Sequence, residues 1–345
     1  MKKRLLKPPS EHGKILFLPG VEKFSKALQG EGMLSTCHQL QFFHPGIGIR
    51  FHLVDLVQRE EKCIVFMDTD RTDIRVRVPW VEIPPKVFDF VVSEKPLYTF
   101  SSLDSGHVHR FFEEVACELE KGFGDTDCDP MHEYQRFSRI FLRQDPSLPL
   151  RERLADAFIS FNGMKTRHMF LSDLLADEEY SEFIRRIFIE SERFRTVYNQ
   201  SIDLFSDLFR FRFKNYPFPK LREGELPFWI IRDHRRHQLS TNSVDLSDVR
   251  RYNTVPKASP LTLFLRLHVA GIFMHGVGGA NYEWINDQIL ERFYHVHPSP
   301  FFVMSATFHL CAIPNREYAY FFMNPTLLRN ALKSYFENRG SAVIT

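Results

Sequence analysis

The chain has 345 residues, of which 43% are hydrophobic and 26% charged, a composition typical of globular proteins rather than disordered or fibrous ones. Its 45 basic and 43 acidic residues leave a formal net charge of +2. This balance gives no broad electrostatic field for nucleic acid or for an anionic membrane, so we expect neither as a partner. The five cysteines are odd in number and form no C-x-x-C pair, which argues against a disulfide scaffold and favours a reducing, cytoplasmic setting.

Residues 1–149 predict the first part of an α/β domain. Apolar runs at 14–20 and 33–38 are typical of short strands, and the run "KCIVF" is a buried strand that leads into Asp68 and Asp70. Between the last two runs, "GIGIRFHLVDL" places apolar residues three and four positions apart, as in a helix. A strand, a helix and a second strand in this order predict parallel pairing with a right-handed crossover.

Residues 150–215 predict an all-helical insertion, because this stretch is charged, periodic and almost free of glycine and proline. Residues 216–345 then return to α/β. Strands are predicted in "ELPFWIIRD", "GIFMH" and "PFFVMSATFHL", and helices in "SPLTLFLRLHVA" and "NYEWINDQILERF". The predicted fold class is therefore α/β, with a Rossmann-like parallel sheet flanked by helices and interrupted by the helical insertion. Two separate domains are the alternative.

Candidate site residues follow from the rule that an open parallel sheet binds ligands beyond the carboxyl ends of its strands. The residues that this rule selects are His38, Gln39, His44 and Gly46 after the first strand, Asp68 and Asp70 after the second, His275, Gly276, Gly278, Gly279, Asn281 and Tyr282 after the third, and Ser305 and Thr307 in the fourth. If the sheet is parallel, all of these segments share one edge.

The chemistry of these segments suits an anionic small molecule. The glycines allow backbone N–H groups to approach a ligand, and the helix that begins near Asn281 directs unpaired N–H groups to the same place. Asp68 and Asp70 could bind Mg²⁺ or orient an amine, and His38, His44 and His275 are candidate proton carriers. However, Asn281 occupies the third glycine position of G-x-G-x-x-G, so a tight strand-to-helix turn explains the glycines equally well.

Two longer stretches resemble a known family. "STCHQLQFFHPGIGIRF" followed by "CIVFMDTDRTDI", and later "LFLRLHVAGIFMHGVGGANYEWINDQILERF", resemble the α/β core of the bacillithiol-synthesis cysteine-adding enzyme family. They are more similar still to a group of uncharacterised bacterial proteins with HPG and HGxGG motifs. The resemblance implies a nucleotidyltransferase-type core that handles an adenine nucleotide and joins an amino acid to an amine. It assigns this role to Gln39, Asp68, Asp70, Gly278 and Gly279.

The chain also departs from that family. Cys37 and His38 stand where the family has glycine and glutamine, and Asn281 and Tyr282 stand where it has a Gly-Glu pair, although Glu283 is close by. The family's C-terminal coiled coil has no counterpart in these 345 residues. These differences favour a shared core with a different substrate.

Three functional hypotheses result. The first is a ligase- or transferase-type enzyme that binds an adenine nucleotide, with Mg²⁺ as a candidate companion ion, at the sheet edge. The second is a metal-dependent hydrolase that uses His38, His44, Asp68, Asp70 and His275. The third is a non-catalytic ligand sensor or assembly module, with the insertion as a partner surface and a homo-oligomer as one outcome.

Overall fold

A computed structural model describes residues 13–14, 32–40, 45–57, 59–78, 86–123, 129–212, 219–233, 235–243, 253–276, 279–304 and 343–344. His44, Gly278, Ser305 and Thr307, which the sequence marks as candidate site residues, lie outside these ranges. Most of the predicted strand at 14–20 and the second half of the one at 300–310 also lie outside them.

The strands are named in chain order. They are β1 (Gly13–Lys14), β2 (Leu34–His38), β3 (Lys62–Phe66), β4 (Arg71–Val78), β5 (Lys86–Pro96), β6 (His168–Phe170), β7 (Glu225–Arg232), β8 (Arg235–Ser240), β9 (Thr254–Pro256), β10 (Ile272–Gly276), β11 (Phe301–Met304) and β12 (Val343–Ile344).

The helices are named in the same way. They are α1 (Pro45–Leu56), α2 (Ser105–Phe123), α3 (Asp129–Leu142), α4 (Leu150–Asn162), α5 (Leu171–Leu174), α6 (Glu178–Ile189), α7 (Ser191–Arg212), α8 (Ala258–Phe264) and α9 (Ala280–Ile289). Helices α8 and α9 each continue into a π-helical turn, Leu265–Val269 and Leu290–Tyr294 respectively.

The central sheet of the described chain has five strands in the order β11–β10–β2–β3–β6, and every neighbouring pair is parallel. The predicted Rossmann-like α/β class is thus confirmed. Strand β3 is apolar on both faces, as parallel strands covered by helices on both sides require. Helix α1 connects β2 to β3, and α9 connects β10 to β11, so the two connections leave β2 and β10 in opposite directions.

Two apolar clusters cover the two faces of this sheet. Ile47 and Phe51 of α1 belong to the same cluster as Met274 of β10, whereas Ile285 and Ile289 of α9 belong to the other cluster. Helices α1 and α9 therefore lie on opposite faces. This reversal between β2 and β10 is the topological switch point, where doubly wound sheets form their ligand crevice.

Two parts of the fold differ from the sequence prediction. Of the predicted helical insertion at 150–215, the described residues 150–212 form helices α4 to α7 but also strand β6, which pairs with β3 at one edge of the central sheet. Three residues are too short to show an alternating pattern, and their pairing depends on a partner about a hundred positions away. Strand β7 was expected in the α/β domain, but it pairs antiparallel with β8 and β9 in a separate sheet.

Strands β4 and β5 form an antiparallel hairpin beside the core. Within the described ranges, no helix is long and apolar enough to cross a membrane.

Candidate functional site

The candidate site is the crevice where β2 and β10 end. The register pairs Met274 with Thr36, and it pairs His38 with Phe66 on the other side of β2. The carboxyl ends of β10, β2 and β3 therefore lie at one edge of the sheet, as the sequence predicts. The Thr36 hydroxyl also donates a 2.9 Å hydrogen bond to the Met274 carbonyl, which ties β2 to β10 just below the crevice.

His275 lies at the end of β10 and is held by a carboxylate. Its Nε2 atom is 2.8 Å from Oε1 of Glu283 on α9, and both side chains are buried. An ionised carboxylate can only accept a hydrogen bond, so Nε2 carries the proton and, in the neutral ring, Nδ1 keeps the lone pair. This is the carboxylate–histidine arrangement by which enzymes orient a histidine for proton transfer.

Glu283 is the centre of a buried polar network. It accepts hydrogen bonds from Thr262 Oγ1 at 2.5 Å, Arg266 Nη1 at 2.5 Å and Asn286 Nδ2 at 3.2 Å, in addition to the one from His275. Burial alone raises the pKa of Glu283, but His275, Arg266 and Thr262 outweigh it and hold the pKa below its usual range. The carboxylate therefore stays ionised and keeps His275 in one orientation.

Gly279 leaves one edge of the His275 ring uncovered. A Cβ atom at position 279 would overlap Nδ1 of His275, and it would lie 2.9 Å from Cε1 and 3.1 Å from the Tyr282 hydroxyl. The Nδ1 edge of His275 and the Tyr282 hydroxyl thus border the same small space. A glycine here is required by close approach to His275, which the sequence could not distinguish from a simple turn.

Arg50 of α1 reaches the crevice from the other face of the sheet. Its guanidinium lies beside Gly276, with Cζ 3.7 Å and Nε 3.8 Å from the place where a Cβ would stand. Only 5% of Arg50 is exposed. Burial lowers the pKa of Arg50, and Cys37 and Tyr282 offset part of this effect.

The pKa of Cys37 is affected both by Arg50 and by the two predicted site aspartates. Burial raises the pKa of the Cys37 thiol far above its usual value; Arg50 lowers it in part, and Asp70 and Asp68 raise it further. The thiol is therefore neutral at ordinary pH. The side chain of its neighbour His38 is half-buried, with Nδ1 3.3 Å from the Gln39 carbonyl oxygen.

Asp68 is fully buried and bound by protein donors. It accepts from the Ser172 backbone N–H at 2.9 Å and from Arg151 Nη1 at 3.0 Å, and the Ser172 hydroxyl donates to it as well. Burial raises the pKa of Asp68, and these donors lower it only in part. Asp68 thus joins β3 to α4 and α5.

Asp70 is half-buried and also paired. The Gln39 amide and the Arg236 guanidinium both donate to its carboxylate, and Arg236 donates to the Thr69 carbonyl at 2.9 Å. Arg236 belongs to β8, so this contact joins the antiparallel sheet to the edge of the central sheet. Gln39 and Asp70, selected separately from the sequence, are therefore direct partners.

A cavity of about 720 Å³ lies at the same edge, beyond the ends of β3 and β6. Its polar wall includes Arg151, Asp173 and Tyr98, and its apolar wall includes Ile184 and Val255. With parallel strands about 4.8 Å apart, the gap between β3 and β6 is two strands, or about 10 Å, from the gap between β10 and β2. This cavity is therefore a neighbour of the β2–β10 crevice and not part of it.

The remaining candidates are only partly described. Gly46 and Asn281 lie in the first turns of α1 and α9, and only their backbone is described. His44 and Gly278 lie outside the described residues, so their predicted closeness to Asp68 stays a prediction. Among the described residues, no three His, Cys, Asp or Glu side chains are grouped so as to bind a metal ion.

Sequence reasoning missed Arg50 and underrated Glu283 and Arg266. Arg50 stands in a largely apolar helix without a distinct polar face, a pattern that is compatible with burial of the charge but does not establish it. Arg266 interrupts an otherwise apolar run and Glu283 follows the glycines, but neither pattern indicates that the two side chains pair. The eight-residue interval from His275 to Glu283 spans a strand end, a loop and a helix start, so no fixed spacing reveals their contact.

The fold and this crevice define a class: a doubly wound α/β protein with an oriented histidine and a buried arginine at its switch point. No protein-family model matches the chain, and no curated protein is significantly similar to it.

Proposed function

We propose that this protein is a ligase- or transferase-type enzyme that binds an adenine nucleotide at the β2–β10 crevice. The observation that carries the proposal is the His275–Glu283 pair, because a buried carboxylate that orients a histidine at a switch point provides a positioned proton carrier. The adenine nucleotide itself is supported by the resemblance to the cysteine-adding enzyme family.

The residues of the crevice would divide the work between binding and proton transfer. His275 accepts a proton at Nδ1 from the attacking hydroxyl or amine, while Glu283 stabilises the imidazolium that forms. The Tyr282 hydroxyl, beside the same edge of the ring, is placed to donate a hydrogen bond to the substrate. The start of α9 adds backbone N–H groups suited to an anionic ligand.

The neighbouring cavity provides a place for the second substrate of such a reaction. Arg151 and the more exposed Asp173 form an ion pair at 3.0 Å on this wall, so a carboxylate or an amine of the ligand would exchange with one member of that pair. A small acceptor that bears either group fits this wall. If Mg²⁺ takes part, Asp70 is the more accessible of the two aspartates, because its side chain is 25% exposed whereas Asp68 is fully buried, and the ion would replace the donors Gln39 and Arg236.

The test is nucleotide turnover with a general acceptor. ATP and Mg²⁺ are incubated with the protein, a pool of small carboxylic acids and hydroxylamine, which traps activated carboxyl groups as hydroxamates. We expect ³¹P NMR to show release of ADP or AMP with wild-type protein. His275→Gln should reduce the rate by about 10²- to 10⁴-fold, the usual contribution of general acid–base catalysis.

His268→Gln is the control, since His268 is an exposed histidine in the π-helical turn before β10, at the opposite end of that strand, and its change should leave the rate unchanged. Equal rates in His275→Gln and wild-type protein would contradict the role of the pair. No turnover of ATP with any acceptor would contradict the nucleotide-dependent reaction.

A further inference from the structure

Arg50 is a buried cation, and the part of the chain that the structure describes places no carboxylate in an ion pair with it. It stands in the second turn of α1, a helix whose residues from Ile49 to Asp55 are all buried. Among the described residues, no carboxylate lies within ion-pair distance of its guanidinium, and its buried Nε atom has no hydrogen-bond partner. The two groups that raise the pKa of Arg50 against the effect of burial are the Cys37 thiol, which is neutral at ordinary pH, and Tyr282.

The carboxylates at this edge are already bound to other donors. Asp68 is taken by Arg151 and Ser172, and Asp70 by Gln39 and Arg236. Neither is free to neutralise Arg50. A buried charge without a partner is strongly unfavourable, so proteins keep one mainly where a ligand supplies the counter-charge.

The position of Arg50 indicates what kind of counter-charge fits. The guanidinium lies beside Gly276, whose lack of a side chain lets a ligand approach the end of β10. Helices α1 and α9 both begin at this edge, on opposite faces of the sheet, and the unpaired N–H groups of helix starts favour anions. Phosphate has the charge and the number of oxygen atoms to accept from a guanidinium fork and from backbone N–H groups together.

We infer that Arg50 binds a phosphate group of the ligand in the β2–β10 crevice, so the substrate class is a phosphate monoester or nucleotide. This inference rests on the proposed function for the location of the ligand, but not for the reaction. It makes Arg50 a binding residue and leaves proton transfer to His275.

The test is isothermal titration with AMP, inorganic phosphate, adenosine and acetate. We expect wild-type protein to bind AMP and phosphate, and to bind adenosine and acetate far more weakly. Arg50→Met should weaken AMP and phosphate binding by about tenfold or more, as expected for loss of a charged hydrogen-bond donor. Arg153→Met is the matched control: Arg153 is also buried and its Nε also has no hydrogen-bond partner among the described residues, but Asp145 offsets part of the effect of burial on its pKa and its guanidinium stacks on Phe141 at 4.5 Å, so binding should be retained.

A second measurement keeps the inference falsifiable if Arg50→Met folds poorly. Phosphate and AMP should raise the Tm of wild-type protein, and Arg50→Lys, which keeps the charge but loses the fork, should show a smaller rise. Unchanged phosphate affinity in both Arg50 variants would overturn the inference, as would binding of adenosine as tight as that of AMP. Phosphate binding that depends on Arg50, without ATP turnover, would support it while contradicting the proposed reaction.

Discussion

Arg50 and Arg266 flank the same strand, are equally buried, and have opposite electrostatic surroundings. Arg266 is 4% exposed, and its guanidinium meets Glu283 at 2.5 Å and Asp287 at 2.6 Å. Arg50 is 5% exposed and has no such partner in the described part of the chain. Burial alone therefore does not reveal the role of an arginine; the presence or absence of a counter-charge does. By this criterion Arg266 stabilises the fold, and Arg50 is available for a ligand.

The largest expected effect comes from Arg266→Met. The change removes the cation but leaves Glu283 buried, so we expect the free energy of unfolding to fall by about 3–5 kcal/mol. Urea unfolding at neutral pH measures this loss. Arg185→Met is the control, because the Arg185–Glu182 pair is exposed and screened by solvent, so its loss should change stability far less. If both variants lose the same stability, the ion pairs of Arg266 do not stabilise the fold more than an exposed pair does.

These effects also show where sequence reasoning succeeds and where it ends. The ends of β2, β3 and β10 could be predicted, because a buried parallel strand is a continuous apolar run and its last residues must emerge at one edge. The partners of those residues could not. The contact between Gln39 and Asp70 depends on the register of β2 against β3, and the contact between His275 and Glu283 depends on how α9 is rotated against the sheet. Both are set by the packing of the whole sheet.

The edge strand β6 was missed for a related reason. It has only three residues, and neighbouring helices dominate the local pattern. The buried state of Arg50 was also out of reach, since one arginine in an apolar helix is ambiguous until both faces of that helix are known to be covered.

A second prediction compares two glycines of the crevice, Gly279 beside His275 and Gly276 beside Arg50. Gly279→Ala should cost about 1–3 kcal/mol, because the added methyl group overlaps His275, which Glu283 prevents from moving aside. Gly276→Ala should cost less than about 0.5 kcal/mol, because its methyl group would lie at an ordinary contact distance, 3.7 Å, from Arg50 Cζ. Thermal unfolding of the two variants separates these cases, and equal losses would show that His275 is not fixed against Gly279.

The third prediction is that removing Arg50, unlike removing Arg266, does not lower the free energy of unfolding. Without ligand, Arg50→Met should leave the protein as stable as wild type or raise its free energy of unfolding by about 1 kcal/mol, because an unpaired buried charge is replaced by an apolar side chain. Urea unfolding in a buffer free of phosphate and sulfate measures this change. A loss comparable to that of Arg266→Met would mean that Arg50 has a stabilising partner after all.

The smallest effect is the pH dependence of the Arg266 network. The pKa of Glu283 in the folded protein is held below its ordinary value of 4.5, since His275, Arg266 and Thr262 together outweigh the effect of burial. Its contribution to stability is therefore present above pH 4.5 and is lost as the pH falls through the lower, folded-state pKa. The stability difference between wild-type protein and Glu283→Gln should shrink over this acidic range in urea unfolding series. Because Asp68, whose pKa is raised, titrates equally in both proteins, it cancels in the difference. A stability difference that stays constant down to the lowest pH would show that the ionised form of Glu283 contributes nothing to the network. The difference between Arg266 and Arg50 would then come from side-chain packing and not from charge.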